Sequence, residues 1–157
     1  MWPPDAPDGS PIAVFLAARD SDFEAANALC LEGGFLVLGL HTTVLDVATI
    51  ALEWAGDHAS SLGADSDKLV VVGGGLAATA ALHAREQAWP PLLRQVLIGP
   101  DLSGSPPAFA SLAGVAPATV VNAKDYARRL RDAGVEVDEL SAQEPMSCDW
   151  IRALCTA

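Results

Sequence analysis

The sequence predicts an α/β fold, a three-layer α-β-α sandwich in which helices cover a mostly parallel, doubly wound sheet of about six strands. Short runs rich in β-branched residues alternate along the chain with longer stretches of helical period, as such a sheet requires. The 157 residues, 51% of them hydrophobic and 18% charged, match one globular domain with a single core. We therefore expect one domain over residues 1–157, with residues 1–10 as a flexible or extended N-terminal segment.

The strands are predicted where β-branched and other apolar residues form short runs. In chain order these are residues 12–17, 35–40, 69–72, 95–98, 119–122 and 135–140.

The helices are predicted between those runs, at residues 22–31, 47–62, 76–88, 125–133 and 149–154. Ser21 and Asp22 are typical helix starts, and Gly134 is a typical stop. In the second helix we expect one side to pack on the sheet and Asp57 and His58 to face water. That packing side contains Val47, Ile50, Ala51, Trp54 and Ala55. Residues 103–114 are expected to form a surface loop.

Charge and cysteine content restrict the function classes. Nine Lys and Arg against twenty Asp and Glu give a formal charge of −11, which repels nucleic acid and anionic lipid. The N-terminus lacks the basic start of a signal peptide, and no apolar run approaches membrane-spanning length. Cys30, Cys148 and Cys155 are too few and too irregularly spaced for a zinc site. We expect a cytoplasmic protein with no metal ion, cofactor, nucleic-acid partner or membrane contact.

Ligands of a doubly wound sheet bind at the carboxyl ends of its strands, where loops and helix N-termini gather. Several polar or small residues follow the predicted strands there. The candidate ligand-binding residues are Arg19, Asp20, His41, Gly73, Gly74, Gly75, Leu76, Asp101 and Cys148.

Three long stretches resemble a known family in their order and spacing. They are ALEWAGDHASSLGADSDKLVVVGG, AALHAREQAWPPLLRQVLIGPDL and APATVVNAKDYARRLRDAGVEVDEL. Together they are similar to the core of the α/β-hydrolase superfamily, and specifically to carboxylesterases of the hormone-sensitive-lipase type. The resemblance implies ester hydrolysis by a serine, an acid and a histidine, with an oxyanion hole. Because the sequence is short for that family, we expect no cap domain.

The family's working residues do not carry over. Its G-x-S-x-G turn falls on residues 73–77, with Gly75 in the serine position, and its His-Gly-Gly-Gly oxyanion-hole motif falls on residues 16–19, LAAR. Asp125 is a poor substitute for the acid and fits better as a charge at a helix N-terminus. Cys148 occupies the histidine position. Because triad groups act as a unit, we expect no ordinary triad esterase activity.

Two function classes follow from this loss. The first is a degenerate hydrolase-like protein that binds a small molecule or a partner, with a homodimer formed through the last edge strand, residues 135–140, as the resemblance implies. The second is a small enzyme with different chemistry in the old cleft, using Arg19, Asp20, His41, Asp101 or Cys148.

The turn also allows a third interpretation. Gly73, Gly75 and Ala78 satisfy G-x-G-x-x-G/A, the fingerprint of dinucleotide-binding domains. However, that fingerprint normally opens its domain, with an acid roughly 20 residues further on. Here it lies in the middle of the chain, and Asp101 follows late. Small residues that simply close a tight turn explain the pattern better.

Overall fold

The computed structural model describes residues 9–17, 23–31, 34–100 and 115–140. Its six strands form one sheet in which every printed pairing is parallel, so the predicted fold class is confirmed. The strands are β1 (Ser10–Ala17), β2 (Leu36–His41), β3 (Ala64–Gly73), β4 (Arg94–Ile98), β5 (Ala118–Val121) and β6 (Val137–Leu140).

Each strand lies where the sequence predicts one, and β3 is longer at its start. Its first half is polar and carries no strand signal in the sequence. Ala64 nevertheless pairs with Ser10, and a register shift separates this pair from the pairing of Ile12 with Leu69. Pairing with β1 thus extends β3 beyond its apolar run.

Four helices connect these strands: α1 (Phe23–Leu31), α2 (Leu45–His58), α3 (Gly75–Glu86) and α4 (Lys124–Asp132). A 3₁₀ turn at Ser60–Leu62 follows α2 and ends at Gly63, whose φ is 79°. The predicted end of α4 is confirmed, since Gly134 has a φ of 88°. The helix predicted at residues 149–154 and the loop at 103–114 lie outside the described residues.

The strand order is β2-β1-β3-β4-β5-β6. The chain moves from β1 to β2 on one side, then crosses to β3 on the other side of β1. Right-handed crossovers therefore place α1 on one face of the sheet and the later helices on the opposite face. The two buried clusters agree, because one contains residues of α1 and the other contains residues of α2, α3 and α4.

One prediction about α2 is wrong. Val47, Ile50 and Trp54 were expected to pack on the sheet, but they are 40%, 64% and 43% exposed. Of the predicted face, Ala51 and Ala55 are buried. The buried side of α2 consists of Ala48, Ala51, Leu52, Ala55 and Gly56. Asp57 and His58 are exposed, as predicted.

The physical reason is that α2 packs against β1, β3 and α3. Its neighbour α3 buries only alanines, at positions 77, 78, 80, 81 and 84. Two helices with small facing residues can approach closely, so the small side of α2 turns inward and its larger residues face outward. Among the described residues, no helix is long and apolar enough to cross a membrane.

Candidate functional site

The strand order places the switch point of the sheet, where open α/β sheets have a crevice, between the carboxyl ends of β1 and β3. The chain reverses its direction of travel across the sheet at this pair of strands, so the loops that follow them diverge to opposite faces. Ligands of open α/β sheets bind at such a switch point. The predicted glycine turn follows β3 and therefore lies at this crevice.

Gly73 is the last residue of β3 and lies next to β1. A Cβ atom at this position would lie 3.1 Å from the carbonyl oxygen of Leu16 in β1 and 3.2 Å from the Cβ atom of Ala77 in α3. Both neighbours belong to regular elements with little room to move. A side chain here would push these neighbours away by a few tenths of an ångström, so glycine lets the end of β3 pass close to β1.

Gly74 and Gly75, at the same turn, have more space around them than Gly73. A Cβ atom on Gly74 would approach the carbonyl oxygen of Ile98 only to 3.7 Å, and one on Gly75 would meet no atom within 4 Å. The φ angles of Gly73, Gly74 and Gly75 are not positive. The backbone conformation therefore does not require glycine at position 75, and a side chain there would have room.

Helix α3 begins at Gly75, and Gly74 offers no side chain to cap it. The first amide groups of a helix have no acceptor within the helix. The carbonyl oxygen of Gly74 accepts bonds from Ala77 and Ala78, at 3.1 and 3.4 Å, which start the helical pattern. The amides before them, at Gly75 and Leu76, lie at the positive end of the helix dipole beside the crevice.

His41 lies at the carboxyl edge of the sheet but on an outer strand. It ends β2 and pairs with Ala17, so β1 separates it from the glycine turn. Two strand spacings amount to about 10 Å. Alternation along β2 places His41 on the same face as Val37, which packs with α1, whereas α3 packs on the other face.

Asp125 lies on the far side of the turn, two strands from β3. It belongs to the first turn of α4 and forms an ion pair with Arg128, 3.6 Å apart. Both side chains are more than two thirds exposed. This placement suits a charge at a helix N-terminus, the role expected from the sequence.

Asn122 is a strand-end residue that the sequence analysis did not select. It follows β5, is exposed, and has a φ of 58°. The sequence pattern predicts that Asn122 is the last residue of the strand, yet asparagine is among the few residues that tolerate this left-handed conformation. An asparagine at the end of this strand was therefore the sequence feature that could have indicated a turn at the carboxyl edge of the sheet.

The structure brings four of the candidate residues together: Gly73, Gly74, Gly75 and Leu76. Arg19, Asp20, Asp101 and Cys148 lie outside the described residues. Within the described ranges, no group of three or more histidine, cysteine or acidic residues could hold a metal ion.

Two groups in the described ranges have shifted pKa values, and neither is at the crevice. Burial raises the pKa of the Cys30 thiol, and burial raises the pKa of Tyr126 to about 12. Cys30 belongs to α1 and packs in the cluster between this helix and the sheet. Because its thiolate form is disfavoured there, Cys30 is not suited to act as a nucleophile.

Comparison with known proteins identifies the fold. No protein-family model matches the sequence. The carboxylesterase NlhH of Mycobacterium tuberculosis is 28% identical over 116 residues, which span 61% of this chain and 36% of NlhH. The chain therefore matches about a third of the length of this curated relative.

Solved structures agree over nearly the whole chain. A thermostable esterase from Pseudomonas putida superimposes with a TM-score of 0.79 at 19% identity, covering 96% of this chain and 74% of the esterase. A bacterial heroin esterase gives 0.78 at 19% identity, covering 98% and 76%. An esterase from the archaeon Pyrobaculum calidifontis gives 0.74 at 18% identity, covering 96% and 75%. The chain thus has the α/β-hydrolase fold of these esterases.

Proposed function

We propose that this protein is a catalytically degenerate α/β-hydrolase-fold protein that binds a small molecule in the crevice between β1 and β3 and does not hydrolyse it. One observation carries the proposal. Gly75, which the sequence resemblance aligns with the nucleophilic serine, is the first residue of α3 at the end of β3. A residue without a side chain supplies no attacking oxygen, so the covalent step of an esterase has no starting point.

The backbone of the turn supports the same proposal. In an active hydrolase of this fold, the nucleophile sits on a sharp and strained strand-to-helix turn. Strain of this kind persists where function requires it. The turn at residues 73–75 has no positive φ angle. Gly75, in the serine position, therefore lacks the positive φ angle that marks a strained residue.

The crevice keeps one feature that suits ligand binding. The amides of Gly75 and Leu76 begin α3, and the adjacent glycines leave room for another molecule to approach. Helix N-termini favour oxygen atoms that carry negative charge or partial negative charge. We therefore expect a small ligand that presents a carbonyl or carboxylate oxygen.

The hydrolysis half of the proposal is tested with p-nitrophenyl acetate and butyrate. We expect wild-type protein to show no turnover above the buffer rate, and Gly75→Ser to remain inactive because Cys148 occupies the position of the histidine base. Turnover by the wild type that disappears in His41→Ala or Cys148→Ala would contradict the proposal. That result would establish the alternative, an enzyme with repurposed chemistry in the cleft.

The binding half is tested by thermal shift with short-chain carboxylates and their methyl esters. A leucine side chain in Gly75→Leu enters open space at the helix start, so we expect the variant to fold and to lose the ligand-induced shift. Glu86→Leu introduces the same side chain at the exposed far end of α3 and should keep the shift. A shift that survives in Gly75→Leu places the ligand elsewhere, and a shift with NADH but none of these ligands favours dinucleotide binding.

A further inference from the structure

The strand β6 has little apolar burial to hold it in the sheet. It is four residues long and pairs in parallel with β5. Val137 and Glu139 are half-buried and Asp138 is exposed, so none of these three side chains is buried. In β5, by contrast, all four residues are buried. Burial of these three side chains therefore contributes little to the attachment of β6.

The net charge of the chain works against this attachment. Glu136, Asp138 and Glu139 place three carboxylates within four residues, in a chain whose formal charge is −11. Charges of one sign repel each other in a compact protein. The strand therefore depends on positive partners to lie against the sheet.

An arginine holds β6 from each face of the sheet. Asp138 pairs with Arg94 of β4 at 3.1 Å, and Glu139 pairs with Arg131 of α4 at 3.0 Å. Successive side chains of a strand point to opposite faces. Because α4 packs on β5 and β6, Arg131 approaches from the face that this helix covers, and Arg94 approaches from the other face.

The pair with Arg94 couples the strand to a nearly buried charge. The Arg94 side chain is 12% exposed, and its Nε atom is buried without a hydrogen-bond partner in the described part of the chain. Its Nη1 atom donates to the hydroxyl of Thr119 and to the carboxylate of Asp138. Departure of β6 would leave this cation without its carboxylate, which is costly for a charge removed from water.

We propose that β6 is an electrostatically latched edge strand, which opens from the sheet as a separate unit and which added salt releases. The latch consists of the two arginine–carboxylate pairs. Proteins open locally in such cooperative units, at a lower free energy than global unfolding. Salt screens the attraction within the pairs. The same salt screens the self-repulsion of the acidic chain, so it acts in opposite directions on β6 and on the rest of the sheet.

Release of β6 uncovers the edge of β5. The sequence of β5, ATVV, contains no charged residue. An unpaired edge without charge is open to pairing with a strand of another chain. The latch therefore controls whether β5 is available for such pairing, and low ionic strength keeps it closed.

Hydrogen–deuterium exchange followed by mass spectrometry tests the proposal. We expect the peptide over residues 135–140 to exchange about fivefold faster when sodium chloride is raised from about 0.02 M to about 0.5 M. The peptide over residues 69–73 of β3 is the internal reference and should exchange at the same rate or more slowly. Free peptides of the same sequences correct for the effect of salt on chemical exchange.

The double variant Asp138→Asn/Glu139→Gln removes the charge of the latch and keeps the shape and an acceptor oxygen of both side chains. We expect its β6 to exchange about tenfold faster than in the wild type at low salt and to lose the acceleration by salt. Asp125→Asn is the matched control, since it removes a carboxylate from the exposed pair with Arg128 within α4. It should leave exchange in β6 unchanged.

Three outcomes would overturn the proposal. Equal exchange rates in β6 and β3 would show that β6 opens only when the whole protein unfolds. Slower exchange of β6 at high salt would show that the ion pairs do not hold it. A wild-type salt response in the double variant would assign that response to other charges. The wild-type salt series decides even if the double variant does not fold, and none of these measurements involves the crevice.

Discussion

The two edges of the sheet differ in how they are protected. At β6, Asp138 accepts a bond from Arg94 at 3.1 Å, and Glu139 accepts one from Arg131 at 3.0 Å. At β2, the strand has no acidic residue, lysine or arginine, and an apolar groove lies beside it. One edge thus carries acidic side chains held in ion pairs, and the other carries no charged side chain.

The β6 edge is also tied into the sheet. Arg94 belongs to β4, and its guanidinium also donates to the hydroxyl of Thr119 in β5, 2.9 Å away. Thr119 and Asp138 are register partners. One arginine therefore spans three strands. In the half of the sheet that contains β2, stability instead depends on the close packing of α2. The half with β2 and the half with β6 should therefore respond to different kinds of substitution.

Apart from truncation of a core side chain, the largest effect is expected on the packing side, from Gly56→Ala in α2. A Cβ atom at Gly56 would lie 2.6 Å from the Cβ atom of Pro90 and 3.2 Å from the ring of Trp89. Such overpacking should destabilise the protein by about 2 kcal/mol, measured by urea unfolding.

In an open helix the same change would stabilise by up to about 1 kcal/mol. Gly75→Ala, where a Cβ atom meets no neighbour within 4 Å, is the control and should be neutral or slightly stabilising. If Gly56→Ala behaves like Gly75→Ala, the contact between α2 and the Trp89–Pro90 segment is not as tight as described.

The second effect breaks the charged edge. Asp138→Ala leaves Arg94, whose side chain is only 12% exposed, without its carboxylate partner. We expect a loss of about 1.5 kcal/mol in the free energy of unfolding. Asp125→Ala removes a carboxylate from an exposed pair with Arg128 and should cost less than about 0.5 kcal/mol. Equal losses in the two variants would show that Arg94 does not hold β6.

The third effect concerns the helix under the β6 edge. Tyr126 of α4 is 1% exposed, and burial raises its pKa from 10.0 to about 12. Between these values the unfolded chain ionises while the folded protein keeps the proton, so stability falls as pH rises. The loss attributable to Tyr126 should be about 1.4 kcal/mol near pH 11 and absent at neutral pH.

Tyr126→Phe isolates this contribution, because phenylalanine does not titrate. The variant should lose less stability than the wild type between pH 10 and about 12. Tyr126 is the only tyrosine in the chain, so tyrosinate absorbance reports its ionisation directly. Ionisation near pH 10 in the folded protein would contradict the burial of its hydroxyl.

The smallest effect should come from the exposed side of α2, which contains Val47, Ile50 and Trp54. Ile50→Ala removes a side chain that is 64% exposed, so the monomer should change by less than about 0.5 kcal/mol when unfolded at low concentration. Leu52→Ala, two residues further on but 1% exposed, should cost about 3 kcal/mol. A large loss in the free energy of unfolding for Ile50→Ala at low concentration would mean that the exposed side of α2 packs within its own chain.

The wrong face predicted for α2 shows a limit of periodicity. Positions 47, 50, 51 and 54 form one apolar stripe, and positions 48, 51, 52 and 55 form another beside it. Larger side chains made the first stripe the obvious choice for the sheet. Packing against the small alanines of α3 instead set which side of α2 faces inward. Nothing in the sequence of α2 itself indicates which helix lies beside it.

The candidate site was predictable only in part. The glycine turn was identified because a strand-turn-helix passage needs small residues where backbones pass closely, as Gly73 does beside Leu16. The positions of His41 and Asp125 were not, because each is separated from β3 by one strand in the observed order. A list of strand ends gives no distances across a sheet.

The sequence by itself determined the alternation of strands and helices, the parallel sheet, and the absence of a side chain at Gly75, because these follow from local periodicity and residue identity. The tertiary structure alone decided that, among the described strands, β2 and β6 lie at the edges of the sheet and that α2 packs on β1 and β3. Strand order depends on the direction of each crossover, which is settled when distant segments pack together.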